Sequence, residues 1–179
     1  MPQRIFAYGS LMWRPDFEFL RARPARLLGY HRRLSVISHH YRGTKENPGL
    51  VLGLDRGGSC IGLVYDVAAE QWAAVHAKVR AREMLGDVYD EVAKRFSVLE
   101  SGEKVQALTY VVRRQSEQYA PQMTRDELLA FINRGQGTMG SCKDYVANTI
   151  THLRQFGIHD RGLEELAPFV LGSGGNPKD

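Results

Sequence analysis

Cysteine is scarce in this sequence of 179 residues, where Cys60 and Cys142 stand far apart. Two such residues offer neither a disulfide framework nor a cysteine-based zinc site, and a reducing cytoplasm suits them. The apolar runs are too short for a transmembrane helix. Residues 1–11 lack the apolar core and cleavage site of a secretory signal. We therefore expect a cytoplasmic protein that has no membrane partner.

An excess of charge of one sign is also missing. The 24 lysines and arginines face 20 aspartates and glutamates, for a formal net charge of +4. The arginines cluster within residues 21–33 and at 113–114, but neither a repeated interleaving of aromatic residues nor a recognisable nucleic-acid-binding motif accompanies them. We predict a solvated basic face and no nucleic-acid partner. A small anionic substrate is compatible with this charge.

Two sequence patterns that can bind a metal ion or a nucleotide in other proteins lie in an unsuitable context here. His39 and His40 are adjacent and would point apart in an extended chain, which is poor geometry for a shared metal ion. Residues 135–140, GQGTMG, match the G-x-G-x-x-G pattern but follow a helical segment instead of a strand. The sequence therefore predicts neither a metal site nor a cofactor.

The hydrophobic periodicity predicts strands in the first part of the chain and helices in the second. Strands are expected at 3–8, within 26–37, and at 50–55, 60–67, 88–99 and 105–112, with a hairpin turn at 55–59. Helices are expected at 69–83, from Thr124 behind a capping box, from Ser141 to Phe156, and at 162–171. This order indicates an α+β domain over residues 1–172, with a small mixed or barrel-like sheet and inserted and C-terminal helices. Residues 173–179 are expected to be a disordered tail.

Two short segments could carry chemistry. Tyr8–Leu11 follows the first predicted strand, and its glycine allows the backbone to approach a ligand closely. Successive N–H groups there could hold a carboxylate or a polarised carbonyl oxygen. Glu83 ends the predicted helix among apolar residues, whose burial would raise its pKa. Arg80 and Arg82 would lower that pKa, so the net direction stays open at this point.

Cys142 is a third candidate for chemistry. It is predicted to lie in the first turn of a helix, a position that can lower the pKa of a thiol. A catalytic thiol also needs a base, and the sequence does not place any of the six histidines near it. The sequence favours the alternative interpretation, a small buried apolar side chain near a helix cap.

Taken together, these segments resemble the ChaC-like family of glutathione-specific γ-glutamylcyclotransferases. The resemblance covers about residues 4–170 in order, and Ala7, Leu50 and Gly86 are its departures from the family pattern. The segments that carry it are FAYGSLMWRPDF, LLGYHRRLSV, YRGTKENPGLVLGLDRGG, CIGLVYDV, REMLGDVY, SEQYAPQMTRDELLAFI and GSCKDYVANTITHLRQFGIHDRGLEEL.

The resemblance implies a γ-glutamylcyclotransferase-like fold and a lyase reaction of glutathione catabolism, without a cofactor. Glutathione would be cleaved to 5-oxoproline and Cys-Gly, with Glu83 as the general acid/base. The implied substrate-binding residues are Ile5, Phe6, Ala7, Tyr8, Gly9, Ser10, Leu11, Tyr89, Tyr119 and Tyr145. The three later tyrosines could equally be core or rim aromatics. Other γ-glutamyl amines or amino acids as substrates, and a non-catalytic small-molecule-binding domain, are the alternatives.

Overall fold

The computed structural model describes residues 3–84 and 86–172, so the predicted tail at 173–179 lies outside the described residues. The strands are β1 (Arg4–Ala7), β2 (Arg21–Ser38), β3 (Gly49–Asp66), β4 (Tyr89–Val98), β5 (Lys104–Val112), β6 (Gln136–Gly137) and β7 (Gly140–Ser141). The helices are α1 (Trp72–Glu83), α2 (Arg125–Arg134), α3 (Cys142–Gln155), α4 (Arg161–Glu164), α5 (Ala167–Val170) and a short 3-10 helix, Ser10–Met12. Within these described stretches, none of the helices combines the length and apolar character that a bilayer crossing requires.

The described chain divides into two compact units. The first unit contains the described residues up to 32 together with residues 53–119, and the second contains residues 33–52 together with those from 120 onward. The candidate residues Tyr8, Glu83 and Tyr119 belong to the first unit, and Tyr145 belongs to the second. A single domain over residues 1–172 stays a prediction.

Strands β1 to β5 close into a barrel in the order β1-β3-β2-β4-β5. Strand β1 pairs antiparallel with β3 and parallel with β5, so the sheet is mixed. Strand β4 runs antiparallel to β5 over a register that begins at Tyr89 opposite Val112. Closure leaves no free sheet edge around the barrel. The predicted α+β class with a barrel-like sheet is confirmed.

An apolar core holds β1 in place. Phe6 stacks on Phe96 with ring centroids 4.4 Å apart, and both side chains are almost completely buried. Ile5 and Ala7 are each 1% exposed. Fully burying an isoleucine or phenylalanine side chain stabilises a fold by roughly 1.5–3 kcal/mol, so the strand that leads into Tyr8 is held on both faces by packing.

The predicted hairpin turn at 55–59 is wrong, because β3 continues through it without a break. Gly57 and Gly58 adopt φ angles of 103° and 65°, and His31 Nδ1 lies 3.0 Å from the Gly57 carbonyl oxygen. Asp55, assigned to the turn, is only 2% exposed. A glycine pair with positive φ produces a turn or a bulge, and the two have the same appearance in sequence.

Most of the predicted helices are confirmed, with shifts at their ends. Thr124 caps α2 through the predicted capping box, and the Ser141 hydroxyl accepts a hydrogen bond from Asp144 N at 2.9 Å to cap α3. Helix α1 begins at Trp72, three residues later than predicted. The single helix predicted at 162–171 is wrong, because two four-residue helices, α4 and α5, occupy that region.

The prediction of a solvated basic face is wrong for two of its arginines. Arg23 and Arg32 are only 7% and 4% exposed. The Arg23 guanidinium lies 2.7 Å from Glu103 and 2.9 Å from Asp66. A buried guanidinium needs such partners because loss of its hydration is costly, so these arginines support the barrel from within.

The second unit packs helices α2, α3 and α5 together. Its glycine-rich segment, 135–140, forms the β6–β7 hairpin instead of a nucleotide-binding turn. The N–H groups of Thr138 and Met139 donate to the carbonyls of His40 and Tyr41 at 2.9 and 3.0 Å. This segment follows helix α2, as the sequence predicted, which is the wrong context for a dinucleotide site.

We predict that Gly62→Ala strongly destabilises the barrel. A Cβ atom at Gly62 would lie 2.7 Å from Phe6 Cζ and closer still to the carbonyl oxygen of Ala7, so the backbone would have to move. The expected loss is about 2 kcal/mol or more of unfolding free energy, measured by urea denaturation. Gly162→Ala is the matched control, because the nearest atom to its Cβ, Asp160 Oδ1, is 3.7 Å away. Equal stability of the two variants would contradict this packing argument.

Candidate active site

The turn that follows β1 is held by two buried side chains. Arg32 donates from Nε to the Tyr8 carbonyl at 2.5 Å and from Nη2 to the Ile61 carbonyl at 2.6 Å. The Tyr65 hydroxyl donates to the Met12 carbonyl at 2.8 Å, and burial raises the pKa of Tyr65 to about 12, so this hydroxyl keeps its proton. The turn therefore has a defined shape before any ligand binds.

The predicted Tyr8–Leu11 segment forms the entry to the 3-10 helix. Gly9 is its N-terminal cap, and Met12 N donates to the Gly9 carbonyl at 2.8 Å. The first N–H groups of any helix lack partners within that helix. Gly9 and Ser10 are half-buried, in contrast to the buried Tyr8 and Leu11. Backbone donors at this position suit a carboxylate or a carbonyl oxygen that develops negative charge.

Glu83 is the last residue of α1, and its side chain is 19% exposed. Burial raises the pKa of its carboxyl group above the ordinary value, and the nearby Arg82 charge opposes that rise without cancelling it. The sequence alone did not decide between burial and the arginine charges as the larger effect on the Glu83 pKa. In the structure, burial is the larger effect. A rise in pKa moves a carboxyl group towards the range in which it can both accept and return a proton.

Arg82 joins the two segments that the sequence singled out. Its Nη2 donates to Ser10 Oγ at 2.9 Å, and its Nε lies 3.4 Å from Glu83 Oε1. Ser10 and Glu83 are far apart in sequence but share one guanidinium as a neighbour. The first unit thus brings the backbone donors of the turn and the perturbed carboxyl group to one place.

A second carboxylate, that of Glu91, lies near the group formed by Ser10, Arg82 and Glu83, and no sequence pattern pointed to it. Glu91 accepts a hydrogen bond from the Tyr110 hydroxyl at 2.8 Å, lies 2.9 Å from His76 Nε2 and forms an ion pair with Arg80 at 3.0 Å. Although burial acts to raise it, the pKa of Glu91 is lowered by these hydrogen bonds and charges. Glu91 is therefore ionised at neutral pH.

Tyr110 connects this network electrostatically to Glu83. Burial, the hydrogen bond to Glu91 and the negative charges of Glu91 and Glu83 all raise the pKa of the Tyr110 hydroxyl. Tyr110 therefore remains a neutral hydrogen-bond donor. An apolar strand segment with one tyrosine gave no sequence signal for such a role.

The remaining predicted site residues are spread over both units. Tyr89 begins β4, and the Tyr119 hydroxyl donates to the Asp55 carboxylate at 2.9 Å. In the second unit, the Tyr145 hydroxyl accepts a hydrogen bond from Leu52 N at 3.1 Å. Contact between these tyrosines, or the packed side chains of residues 5–7, and a substrate stays a prediction.

Cys142 has the environment of a structural thiol. Its Sγ accepts a hydrogen bond from Leu50 N and donates one to Leu50 O, both at 3.2 Å, and its side chain is completely buried. Burial raises the pKa of this thiol. A protonated, enclosed sulfur is a poor nucleophile, which agrees with the interpretation that the sequence favoured.

Comparison with known proteins gives a consistent result. The model of the ChaC-like protein family matches residues 3–172 of the chain. A glutathione-specific γ-glutamylcyclotransferase of Escherichia coli (strain K12) is 28% identical over 92% of this chain and 71% of its own length. The γ-glutamylcyclotransferase 2-3 of Arabidopsis thaliana is 27% identical over 93% of this chain and 87% of its own length.

Solved structures share the fold. A crystal structure of a glutathione-specific γ-glutamyl cyclotransferase from yeast superposes with a TM-score of 0.84 at 22% identity, covering 93% of this chain and 94% of that one. Another solved structure, a γ-glutamyl cyclotransferase, gives a TM-score of 0.56 at 14% identity, covering 98% and 91%. The predicted γ-glutamylcyclotransferase-like fold is confirmed.

We predict that Cys142 resists alkylation in the folded protein. Its thiol is enclosed and its pKa is raised, so iodoacetamide at neutral pH should modify it only after denaturation. Mass spectrometry of native and urea-treated samples measures this difference. Cys142→Ala should retain turnover in the assay below. Rapid native alkylation together with loss of activity would instead support a catalytic thiol.

The raised pKa of Glu83 predicts a pH-dependent effect on stability. Because the folded state holds this proton more tightly than the unfolded state, its stabilising contribution is present below about pH 4 and is lost as pH rises through the folded-state pKa. Glu83→Gln should therefore equal the wild type in stability at low pH and exceed it at pH 8.

Glu91→Gln is the control, because its expected change in stability at pH 8 has the opposite sign. The pKa of Glu91 is lowered, so its contribution is present above the unfolded-state pKa and is lost as pH falls. This variant should be less stable than the wild type at pH 8. Thermal melts of the three proteins from pH 4 to pH 8 measure both effects, and a Glu83→Gln variant less stable than the wild type at pH 8 would contradict the assignment.

Proposed function

Because this chain belongs to the ChaC-like protein family, we propose that it is a γ-glutamylcyclotransferase that converts glutathione to 5-oxoproline and Cys-Gly. The names of the relatives from Escherichia coli and Arabidopsis thaliana support the reaction class. The observation that carries the proposal is the Arg82 guanidinium, 2.9 Å from Ser10 Oγ and 3.4 Å from Glu83 Oε1. It joins the turn at Tyr8–Leu11, whose backbone N–H groups make it the donor turn, to a carboxyl group suited to proton transfer.

The reaction is an intramolecular acyl transfer. The α-amino nitrogen of the γ-glutamyl group bonds to that group's own side-chain carbonyl carbon, which closes a five-membered lactam. The amide bond to the cysteine nitrogen then breaks, and Cys-Gly leaves. No atom is gained or lost overall. The attacking ammonium loses two protons as it becomes the lactam N–H, and the leaving nitrogen gains two as it becomes the ammonium group of Cys-Gly. One of these protons can be carried from the first nitrogen to the second.

Glu83 fits the role of carrying that proton. As a carboxylate it would accept a proton from the ammonium group, and as a carboxylic acid it would return the proton to the leaving nitrogen. Burial raises the pKa of its carboxyl group and so shifts the group towards the protonated form that must return the proton. Its partial enclosure, with 19% of the side chain exposed, limits competition from water.

The turn at Tyr8–Leu11 would orient the substrate. Its backbone donors suit either the α-carboxylate of the γ-glutamyl group or the oxyanion that forms at the attacked carbonyl. Arg32 and Tyr65 hold the turn's carbonyls, so its shape does not depend on the ligand. A pre-formed turn lowers the entropy cost of bringing the amine and the carbonyl together.

Three residues depart from the family pattern that the sequence resembles. Ala7 and Leu50, which depart from the family pattern, are almost completely buried, and Gly86 has a φ angle of 91°. Other γ-glutamyl amines or amino acids are the alternative substrates. A cytoplasmic location stays a prediction.

We expect Glu83→Gln to fold normally and to lose turnover by roughly 10²–10⁴-fold, because the amide cannot carry the proton. The measurement is incubation with glutathione, followed by mass spectrometry of 5-oxoproline and Cys-Gly in equal amounts. Glu70→Gln is the matched control, because that side chain is exposed. Substantial activity in Glu83→Gln would remove Glu83 from the role of acid/base.

The wild-type product pattern separates the alternatives. Turnover of γ-glutamyl amines or amino acids but not of glutathione would show that the substrate differs while the reaction is still a cyclotransfer. Free glutamate would indicate hydrolysis. Binding without turnover of any γ-glutamyl compound would favour the non-catalytic binding domain.

A further inference from the structure

We propose that Arg82 is a positioning residue that clamps residues 10–16 onto the end of α1 and so maintains the arrangement of the donor turn and the Glu83 carboxyl group. This inference rests on the proposed function for its catalytic consequence. The clamp itself is a structural assignment, which can be tested without turnover.

The contacts of Arg82 define the clamp. In addition to Ser10 and Glu83, its Nη1 donates to the Arg14 carbonyl at 2.8 Å and to Asp16 Oδ2 at 2.9 Å. One guanidinium thus reaches both ends of residues 10–16. Its donors form a rigid planar fork, whereas a lysine ammonium is a compact point charge. The geometry therefore requires arginine and not merely a positive charge.

The backbone of the clamped segment carries a second sign of constraint. Asp16 has a φ angle of 56°, and it is the one residue other than glycine in the described chain with a positive φ. This left-handed conformation is unfavourable unless the surroundings hold it. Lys78, also on α1, donates from Nζ to the Asp16 carbonyl. Two cations of α1 therefore hold the strained end of the segment.

The charged and titratable groups around Glu83 come from four parts of the first unit, namely α1, β4, β5 and the loop that contains Asp16. On α1, Arg82 lowers the pKa of Glu83 against the larger effect of burial. On β5, the Tyr110 hydroxyl is neutral and donates a hydrogen bond to the Glu91 carboxylate of β4. That carboxylate also contacts two side chains of α1, Arg80 and His76. Asp16, in the loop, pairs with Arg82. Arg82 is therefore positioned to act on both the geometry and the ionisation of Glu83.

The test compares Arg82→Lys with Arg82→Gln. Lysine keeps the charge and loses the fork, whereas glutamine loses both. The Glu83 pKa is measured by NMR titration of its side-chain carboxyl carbon, assigned with Glu83→Gln. Hydrogen exchange reports the order of residues 10–16, and the pH profile of kcat/KM for glutathione reports catalysis.

We expect hydrogen exchange at residues 10–16 to increase in both variants. In Arg82→Lys the Glu83 pKa should stay close to the wild-type value, while kcat/KM falls by about 10-fold to 100-fold, mainly through kcat. In Arg82→Gln the Glu83 pKa and the acidic limb of the pH profile should also move up by about one pH unit or more, because an opposite charge has been removed.

Arg154→Gln is the matched control. Arg154 also lies in the last turn of a helix and pairs with a carboxylate, Glu164, at 2.6 Å, but it belongs to the second unit. This variant should change none of the three readouts. Wild-type exchange at residues 10–16 and an unchanged Glu83 pKa in Arg82→Gln would overturn the proposal. Absence of wild-type turnover would refute the proposed function, and the titration and exchange would still decide the clamp.

Discussion

The buried hydrogen bond from the Arg32 guanidinium to the Tyr8 carbonyl determines how the chain leaves β1. Because Arg32 is only 4% exposed, its guanidinium has lost most of its hydration, and hydrogen bonds to protein groups must compensate for that loss. The carbonyls of Tyr8 and Ile61 provide that compensation, since they lie 2.5 and 2.6 Å from its nitrogens. The donor turn is therefore coupled to the barrel interior, and its geometry depends on the barrel being intact.

The sequence predicts best those elements whose causes are local. The ends of α2 and α3 follow from Thr124 and Ser141, because a capping side chain and its partner lie three residues apart. The error at 55–59 has a non-local cause. Whether a glycine pair turns the chain or bulges a strand depends on the neighbouring strand, where His31 contacts Gly57.

The residues of the candidate site were likewise predictable only where the signal in the sequence is local. Tyr8–Leu11 and Glu83 could be found as short motifs, and Arg82 is visible in the sequence beside Glu83. The hydrogen bond from Arg82 to Ser10 could not be predicted, because contacts across many residues leave no local pattern. Arg32 was misread for a different reason. Its burial follows the alternation of β2, whose phase shifts at Gly29, a residue with a φ angle of 80°. The direction of the Glu83 pKa shift likewise required knowledge of its burial, which no spacing provides.

The location of Glu83 at the end of a helix has a consequence for the temperature dependence of the protein. The last turn of α1 is closed by the hydrogen bond from Met84 N to the Arg80 carbonyl, at 2.9 Å. Helix ends open locally at a free-energy cost well below that of global unfolding. Each such opening would hydrate the carboxyl group and return it to ordinary acidity. We therefore expect heating to disturb this carboxyl group through the fraying of one helical turn before the barrel melts.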